Sequence, residues 1–319
     1  MIYTVTCNPA LDYYIRLPRL EMGQINRVTR ERLCCGGKGV NVSRALARWG
    51  VPTQAWGLLA GMSGRLLERE LADEGVTGDF VFLTEGMTRL NIKWLGGEQT
   101  ELNGLGPRVG EEGRRALLAR VERLQPGDIL VLAGSVPPGL GEEFYAQAAA
   151  AARQRGARCV VDAAGGLLRQ ALRERPDLIK PNRQEIRELT GADCQSPEQA
   201  LAAAVRLQQL GARHVLLSLG EMGAVLAWAD GRHWVQPAPA GHISCAVGAG
   251  DAMLAGFLAG LLDTGEPARA LALAVAAGSA AAFQGDIPSR QQVERLLPQL
   301  PAGRRVGAGD EGKGERKDE

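Results

Sequence analysis

Short runs of aliphatic residues alternate along the chain with stretches in which apolar positions recur every three or four residues. Ile2–Val5, Ile129–Leu132, Cys159–Val161 and Val215–Leu217 are almost continuously apolar, as strands covered on both faces of a parallel sheet must be. Between them, Val42, Ala45, Leu46 and Trp49, and later Leu254, Phe257, Leu258 and Leu261, fall on single helical faces suited to packing on that sheet. The pattern predicts an α/β fold with a mainly parallel sheet.

Two segments break the alternation. Residues 12–35 and 88–103 read as short strands with polar faces, the second carrying TRLNIKW, a Gly96-Gly97 turn and QTELN. They predict a small β lid. Farther on, Met222–Ala229 and Arg232–Gln236 flank Asp230-Gly231, a two-residue turn signal, so the sheet is expected to end in an antiparallel hairpin. The charge-free stretch Ala270–Gly285 spans 16 residues, short of the 18 or more that cross a bilayer, and reads as a buried helix. A folded domain over residues 1–300 is expected. From Arg304 on, five positive and five negative side chains with little apolar bulk predict a disordered charged tail over 301–319.

Charge narrows the function. Lys and Arg total 37 against 36 Asp and Glu, so no chain-wide basic field exists for nucleic acid or an anionic membrane, and any phosphate site must be local. The six cysteines lack CxxC spacing and have three histidines beside them, which argues against a zinc site or a disulfide framework and favours a reducing cytoplasm. The start, MIYTVTCNPALD, lacks the parts of a secretory signal and reads as a strand.

With 42 glycines in the chain, the informative ones are those that open helices. Val247-Gly248-Ala249-Gly250-Asp251 leads into AMLAGFLAGLL, so backbone N–H groups can turn outward where the helix dipole favours negative charge. Spacing alone leaves Asp251 open as a helix cap or as a base beside a bound phosphate. Gly36-Gly37-Lys38-Gly39, followed by Asn41, offers a second concave backbone, or merely a loop with a solvated lysine. In Lys180-Pro181-Asn182-Arg183-Gln184-Glu185 the spacing of Asn182 and Glu185 fits a capping box, a role compatible with ordering water around magnesium. Ser218-Leu-Gly220-Glu221-Met-Gly223 is a turn suited to nucleotide phosphates or simply to reversing the chain. Arg27, Arg89 and Lys93 lie in the lid segments. A GxGxxG match at Gly307–Gly312 has neither strand nor helix around it, and no GxxxxGK[ST] is present. Two glycine-lined helix starts, a carboxylate at one of them and basic residues in a flap together describe a site for two phosphorylated molecules.

GGKGVNVSRALARWG and VGAGDAMLAG resemble the two signature segments of the PfkB, or ribokinase-like, carbohydrate kinases. The resemblance runs to about residue 300, with TCNPALD, TRLNIK, TELNGLGP, LAGSVPPG, KPNRQE and SLGEMG in the family's order. It implies a three-layer α/β/α fold with a β lid, and an ATP- and Mg²⁺-dependent sugar-phosphate kinase. By the same resemblance Asp251 is the catalytic base, and the backbone of Gly248, Ala249 and Gly250 stabilises the γ-phosphoryl charge. Asp12, Gly37, Lys38, Asn41, Arg89 and Ser135 face the sugar phosphate, with Lys93 and Arg27 in support, Arg27 reaching a neighbouring subunit. Lys180, Asn182 and Glu185 serve the phosphate and magnesium region, Glu185 through water. Ser218, Gly220, Glu221 and Gly223, with Gly250, contact the nucleotide. A homodimer formed through the lids is implied. TCNPALD and TELNGLGP most resemble the branch acting on D-fructose 1-phosphate at its 6-hydroxyl. Tagatose 6-phosphate, fructose 6-phosphate or an inactive sugar-phosphate sensor stand as alternatives. Ala246 departs from the family, whose members usually carry Ser or Thr there, which removes one hydroxyl near the nucleotide.

Overall fold

The computed structural model describes residues 1–96 and 100–306. In chain order its strands are β1 (Ile2–Thr6), β2 (Ala10–Arg16), β3 (Arg30–Gly36), β4 (Thr53–Ala60), β5 (Gly78–Leu83), β6 (Arg89–Trp94), β7 (Thr100–Asn103), β8 (Ile129–Ala133), β9 (Arg158–Asp162), β10 (Leu178–Ile179), β11 (His214–Ser218), β12 (Ala224–Ala227), β13 (His233–Gln236) and β14 (Arg304–Val306). The helices are α1 (Lys38–Arg48), α2 (Gly61–Asp73), α3 (Glu111–Val121), α4 (Phe144–Gln154), α5 (Gly165–Leu172), α6 (Arg183–Thr190), α7 (Pro197–Gln209), α8 (Ala249–Thr264), α9 (Pro267–Gln284) and α10 (Arg290–Leu296).

Ten strands form one sheet in the order β14-β13-β12-β11-β10-β9-β8-β1-β4-β5. It is parallel from β11 to β5 and antiparallel beyond. Successive side chains of each strand enter opposite cores, which is why the strand runs are continuously apolar. Leu130, Leu132, Val161 and Val215 pack with Leu117, Phe144, Ala148 and Leu207 on one face. Ile129, Val131, Val160 and Leu216 pack with Leu46, Leu254, Phe257 and Ala274 on the other. The result is the three-layer α/β/α architecture that the resemblance implied. The expected hairpin is β12–β13, pairing Leu226 with Trp234, and the Ala-rich helix is α9. No described helix is long and apolar enough to cross a membrane.

The remaining strands form a second sheet, β3-β2-β6-β7, which is the expected lid. Its register sets Asp12 beside both Cys34 and Asn91, Asn91 opposite Asn103, and Lys93 opposite Glu101. Gly97 of the expected turn lies outside the described residues. So do 307–319 of the expected tail. Residues 301–306 behave differently from that expectation. Arg304–Val306 pair antiparallel with β13, Gln236 Nε2 donates to Pro301 O at 2.8 Å, and Arg304 pairs with Glu198. Backbone pairing at a sheet edge needs little apolar side-chain surface, so composition gave no sign of it.

Candidate active site

A cleft of about 1480 Å³ opens between the lid and the C-terminal ends of the parallel strands, where ligands of open α/β sheets bind. One wall is the start of α8. Gly248 is its N-cap with φ +80°, a conformation that a side chain would strain, and no side chain caps the helix. The first-turn amides of Gly250 and Asp251 are thus left open in the cleft wall as an anion-binding turn. A Cβ on Gly250 would stand 3.1 Å from Lys180 Nζ, so an ammonium lies against the same turn.

Asp251 is not the cap that spacing left open. Its Oδ2 accepts from Asn41 Nδ2 at 2.8 Å, and the residue is 7% exposed. Burial, reinforced by the charge of Asp162, pushes its carboxyl up to about 7 against the opposing pull of Asn41, Lys180 and Lys38. A carboxylate in that range is suited to taking a proton near neutral pH.

Beneath it, Asp162 ends β9 completely buried. Lys38 Nζ donates to its Oδ1 at 2.9 Å. Lys180 Nζ stands 3.1 Å from Oδ2, a charge contact whose angle falls short of a hydrogen bond. Burial opposes the charge of Asp162, but Lys180 and Lys38 overcome it and hold the carboxyl below the ordinary aspartate value. Lys38 also donates to Glu185 Oε1 at 3.1 Å. Glu185 Oε2 accepts from Asn182 N at 2.9 Å while Asn182 Oδ1 accepts from Glu185 N at 2.9 Å, the complete capping box of α6. Asp162 escaped the motif reading although it had a signal, a carboxylate closing an apolar strand at the edge where such sites gather.

The lid supplies the opposite wall. Alternate residues of β6, Arg89, Asn91 and Lys93, face the cleft, as do Glu101 and Asn103 of β7. Asn91 Nδ2 donates to Asp12 Oδ1 at 2.7 Å, and burial raises the Asp12 carboxyl despite that bond. Lys93 Nζ lies 2.8 Å from Glu101 Oε2. Arg89 Nε donates to the Asn8 carbonyl at 3.1 Å. Asn8, Asn91, Glu101 and Asn103 were missed within motifs already singled out, although Asn91 shares the face of Arg89 by strand alternation, as Asn103 shares that of Glu101.

Gly37, Ser135, Ser218, Gly220, Glu221, Gly223 and Ala246 also line the cleft, as do the apolar side chains of Ala238, Ile243, Val275 and Phe283. Arg27 is the exception. It lies exposed on segment 17–29, away from the cleft, because β2 runs outward from buried Asp12 to exposed Arg16 and carries the connecting segment beyond it. Among the described residues no group of three His, Cys, Asp or Glu side chains could hold a metal.

A buried carboxylate of raised proton affinity at an open helix start, ammoniums beneath it and a polar lid above fit a phosphotransferase of ribokinase-like fold. Residues 7–287 match the pfkB family carbohydrate kinases, and the chain belongs to that family. It is 38% identical over 300 residues to the 1-phosphofructokinase of Bacillus subtilis, covering 94% of this chain and 98% of that one. It is 33% identical to the D-tagatose-1-phosphate kinase of Klebsiella oxytoca, with 94% and 98% covered. A solved structure of phosphofructokinase-2 from Escherichia coli in complex with substrates and products superposes with a TM-score of 0.87 at 31% identity, covering 94% of this chain and 99% of that one.

Proposed function

We propose that the protein transfers the γ-phosphoryl group of ATP to the 6-hydroxyl of D-fructose 1-phosphate, giving fructose 1,6-bisphosphate and ADP. The observation that carries the reaction is the buried Asp251 carboxyl beside the open amides of the α8 start. The substrate rests on the 38% identity to a 1-phosphofructokinase. In this reading Asp251 accepts the hydroxyl proton as the oxygen attacks phosphorus in line and the bond to the β-phosphate oxygen breaks. The backbone of Gly248, Ala249 and Gly250, with Lys180, faces the charge that develops on the transferring group. Asp12, Gly37, Asn41 and Ser135 orient the sugar, and Arg89 takes its phosphate. Ser218, Gly220, Glu221 and Gly223 border the nucleotide, whose base suits the apolar side chains of the cleft lining.

Each Glu185 oxygen accepts one hydrogen bond and keeps further acceptor capacity, a donor set that suits a magnesium ion carried on phosphates and reached through water. Such an ion offsets charge on the β- and γ-phosphates when bound. An apolar outer face of the lid supports the dimer reading, because Leu33, Leu90 and Leu102 are 44%, 40% and 63% exposed there and suit cover by a second copy. That contact would include the segment bearing Arg27. Six free cysteines suit a reducing cytoplasm.

The relative named for D-tagatose 1-phosphate favours the C4 epimer as the second reading. Comparing kcat/KM for fructose 1-phosphate, tagatose 1-phosphate, fructose 6-phosphate and tagatose 6-phosphate with Mg-ATP tests both. Fructose 1-phosphate is expected to lead. A higher value for any other sugar overturns the substrate, and no phosphorylation of any of them overturns the kinase.

A further inference from the structure

The lid contributes two cations to the cleft wall, Arg89 and Lys93, and they differ in how they are held. Arg89 has no carboxylate partner among the described residues, and its side chain donates to a backbone carbonyl. Lys93 is 5% exposed and is matched by Glu101 at 2.8 Å. The pair is built into the sheet register, since β6 and β7 place Lys93 directly opposite Glu101. Asn103 Nδ2 approaches the same Glu101 oxygen at 3.5 Å, steadying it from the neighbouring inward position. Positions four residues apart on one strand have backbones roughly 13 Å from each other, farther than one phosphate group spans. An unmatched Lys93 would therefore offer the substrate's phosphate a second seat, separate from the first.

We propose that Glu101 is a positioning residue that closes this second seat. By occupying Lys93 it leaves Arg89 as the lid cation open to a phosphate, so the sugar phosphate enters in the single register that presents its free hydroxyl to Asp251. The physical basis is charge matching. A phosphate dianion meeting the neutral Lys93–Glu101 pair is repelled by the carboxylate as strongly as it is drawn by the ammonium, whereas at Arg89 it gains a charge-assisted hydrogen bond. The proposal rests on the sugar-phosphate kinase reading given above.

The kinetic signature separates this role from a merely structural one. A nonproductive second register competes with the productive one, lowering kcat and KM together and leaving kcat/KM nearly unchanged. In Glu101→Gln, kcat and KM for fructose 1-phosphate are expected to fall together by about fivefold to tenfold. Inorganic phosphate, titrated calorimetrically without sugar or nucleotide, should bind that variant about tenfold more tightly than the wild type, the scale of one charge-assisted bond. The double variant Lys93→Met/Glu101→Gln removes the second seat altogether and should return the phosphate affinity to the wild-type value. A raised KM in Glu101→Gln, unchanged phosphate binding, or a double variant that binds phosphate like Glu101→Gln overturns the proposal. Thermal melts of all variants exclude loss of fold as the cause. The phosphate titration stands even if another sugar phosphate proves the better substrate, so failure of this inference and failure of the substrate reading remain distinguishable.

Discussion

Replacing Asp251 by Asn removes a proton acceptor while keeping size and an oxygen that can accept from Asn41 Nδ2, which lies 2.8 Å from the carboxylate in the wild type. Turnover is expected to fall by about 10²–10⁴-fold, the usual contribution of a positioned base. The same substitution should stabilise the protein at alkaline pH. Burial holds the folded carboxyl at about 7, against 3.8 for an exposed aspartate. Between those two values the folded state binds the proton more tightly than the unfolded chain, so stability declines as pH rises from about 4 to about 7 and then levels off. Three units at about 1.4 kcal/mol each set a ceiling of about 4 kcal/mol on that loss. Asn carries no charge and escapes it, so its advantage over the wild type should widen by up to about 2–3 kcal/mol between pH 5 and pH 8. Thermal melts of both proteins at the two pH values, with kcat measured in parallel, provide the assay. In the wild type, kcat/KM should rise with pH and level off above about 7. Near-normal turnover in Asp251→Asn would refute the base, and a stability gap that does not grow with pH would refute the buried-charge account.

Two further substitutions probe the walls. Arg89→Ala should raise KM for the sugar phosphate by about 10–100-fold with little change in KM for ATP, because one charge-assisted hydrogen bond is worth about 1.5–3 kcal/mol; equal effects on both substrates would deny Arg89 the phosphate. Deleting residues 302–319 removes β14 and the Arg304–Glu198 pair and should lower stability by about 1 kcal/mol while sparing activity, since a short exposed edge strand carries little burial; an unchanged melting temperature would show that β14 contributes nothing.

The sequence was most legible where a pattern has one physical cause. Continuous apolar runs at Ile129–Leu132 and Val215–Leu217 mark strands with two buried faces, and those are the strands of the main sheet. Glycines before Asp251 mark an uncapped helix start, and Gly248 takes the left-handed conformation there. What stayed hidden depends on partners distant in the chain. Asp162 gains its meaning from Lys38 and Lys180, 124 residues before it and 18 after, and no local pattern joins the three. Glu101 is an ordinary lid residue until the β6–β7 register sets it against Lys93. Arg27 lies outside its own chain's cleft, because charge in a lid segment does not say which way the connecting chain travels. The edge strand β14 went unseen because its bonds are made by backbone, to which composition is blind.

Five carboxylates at or beneath the cleft divide by what holds them. Asp162, Glu185 and Glu101 are each held by an ammonium, at 2.9, 3.1 and 2.8 Å. Asp12 and Asp251 are instead held by the neutral amides of Asn91 and Asn41, at 2.7 and 2.8 Å. An ammonium stabilises the ionised form and leaves a poor proton acceptor, as the lowered value of Asp162 illustrates. An amide orients a carboxylate through one oxygen without adding a positive charge, so burial can raise its proton affinity and the second oxygen stays open to a hydroxyl. Both amide-held carboxylates are in fact raised. In the proposed reaction these are the two groups that meet sugar hydroxyls, one to orient the ring and one to take the proton. The ammonium-held carboxylates serve instead to fix lysines. Lys38 and Lys180 are matched by Asp162 and Glu185, so the charge of Asp251 is the surplus of that cluster. A surplus buried charge is the one that a proton most readily neutralises, which is why the proposed base is Asp251 rather than Asp162, although both lie beside the same two lysines.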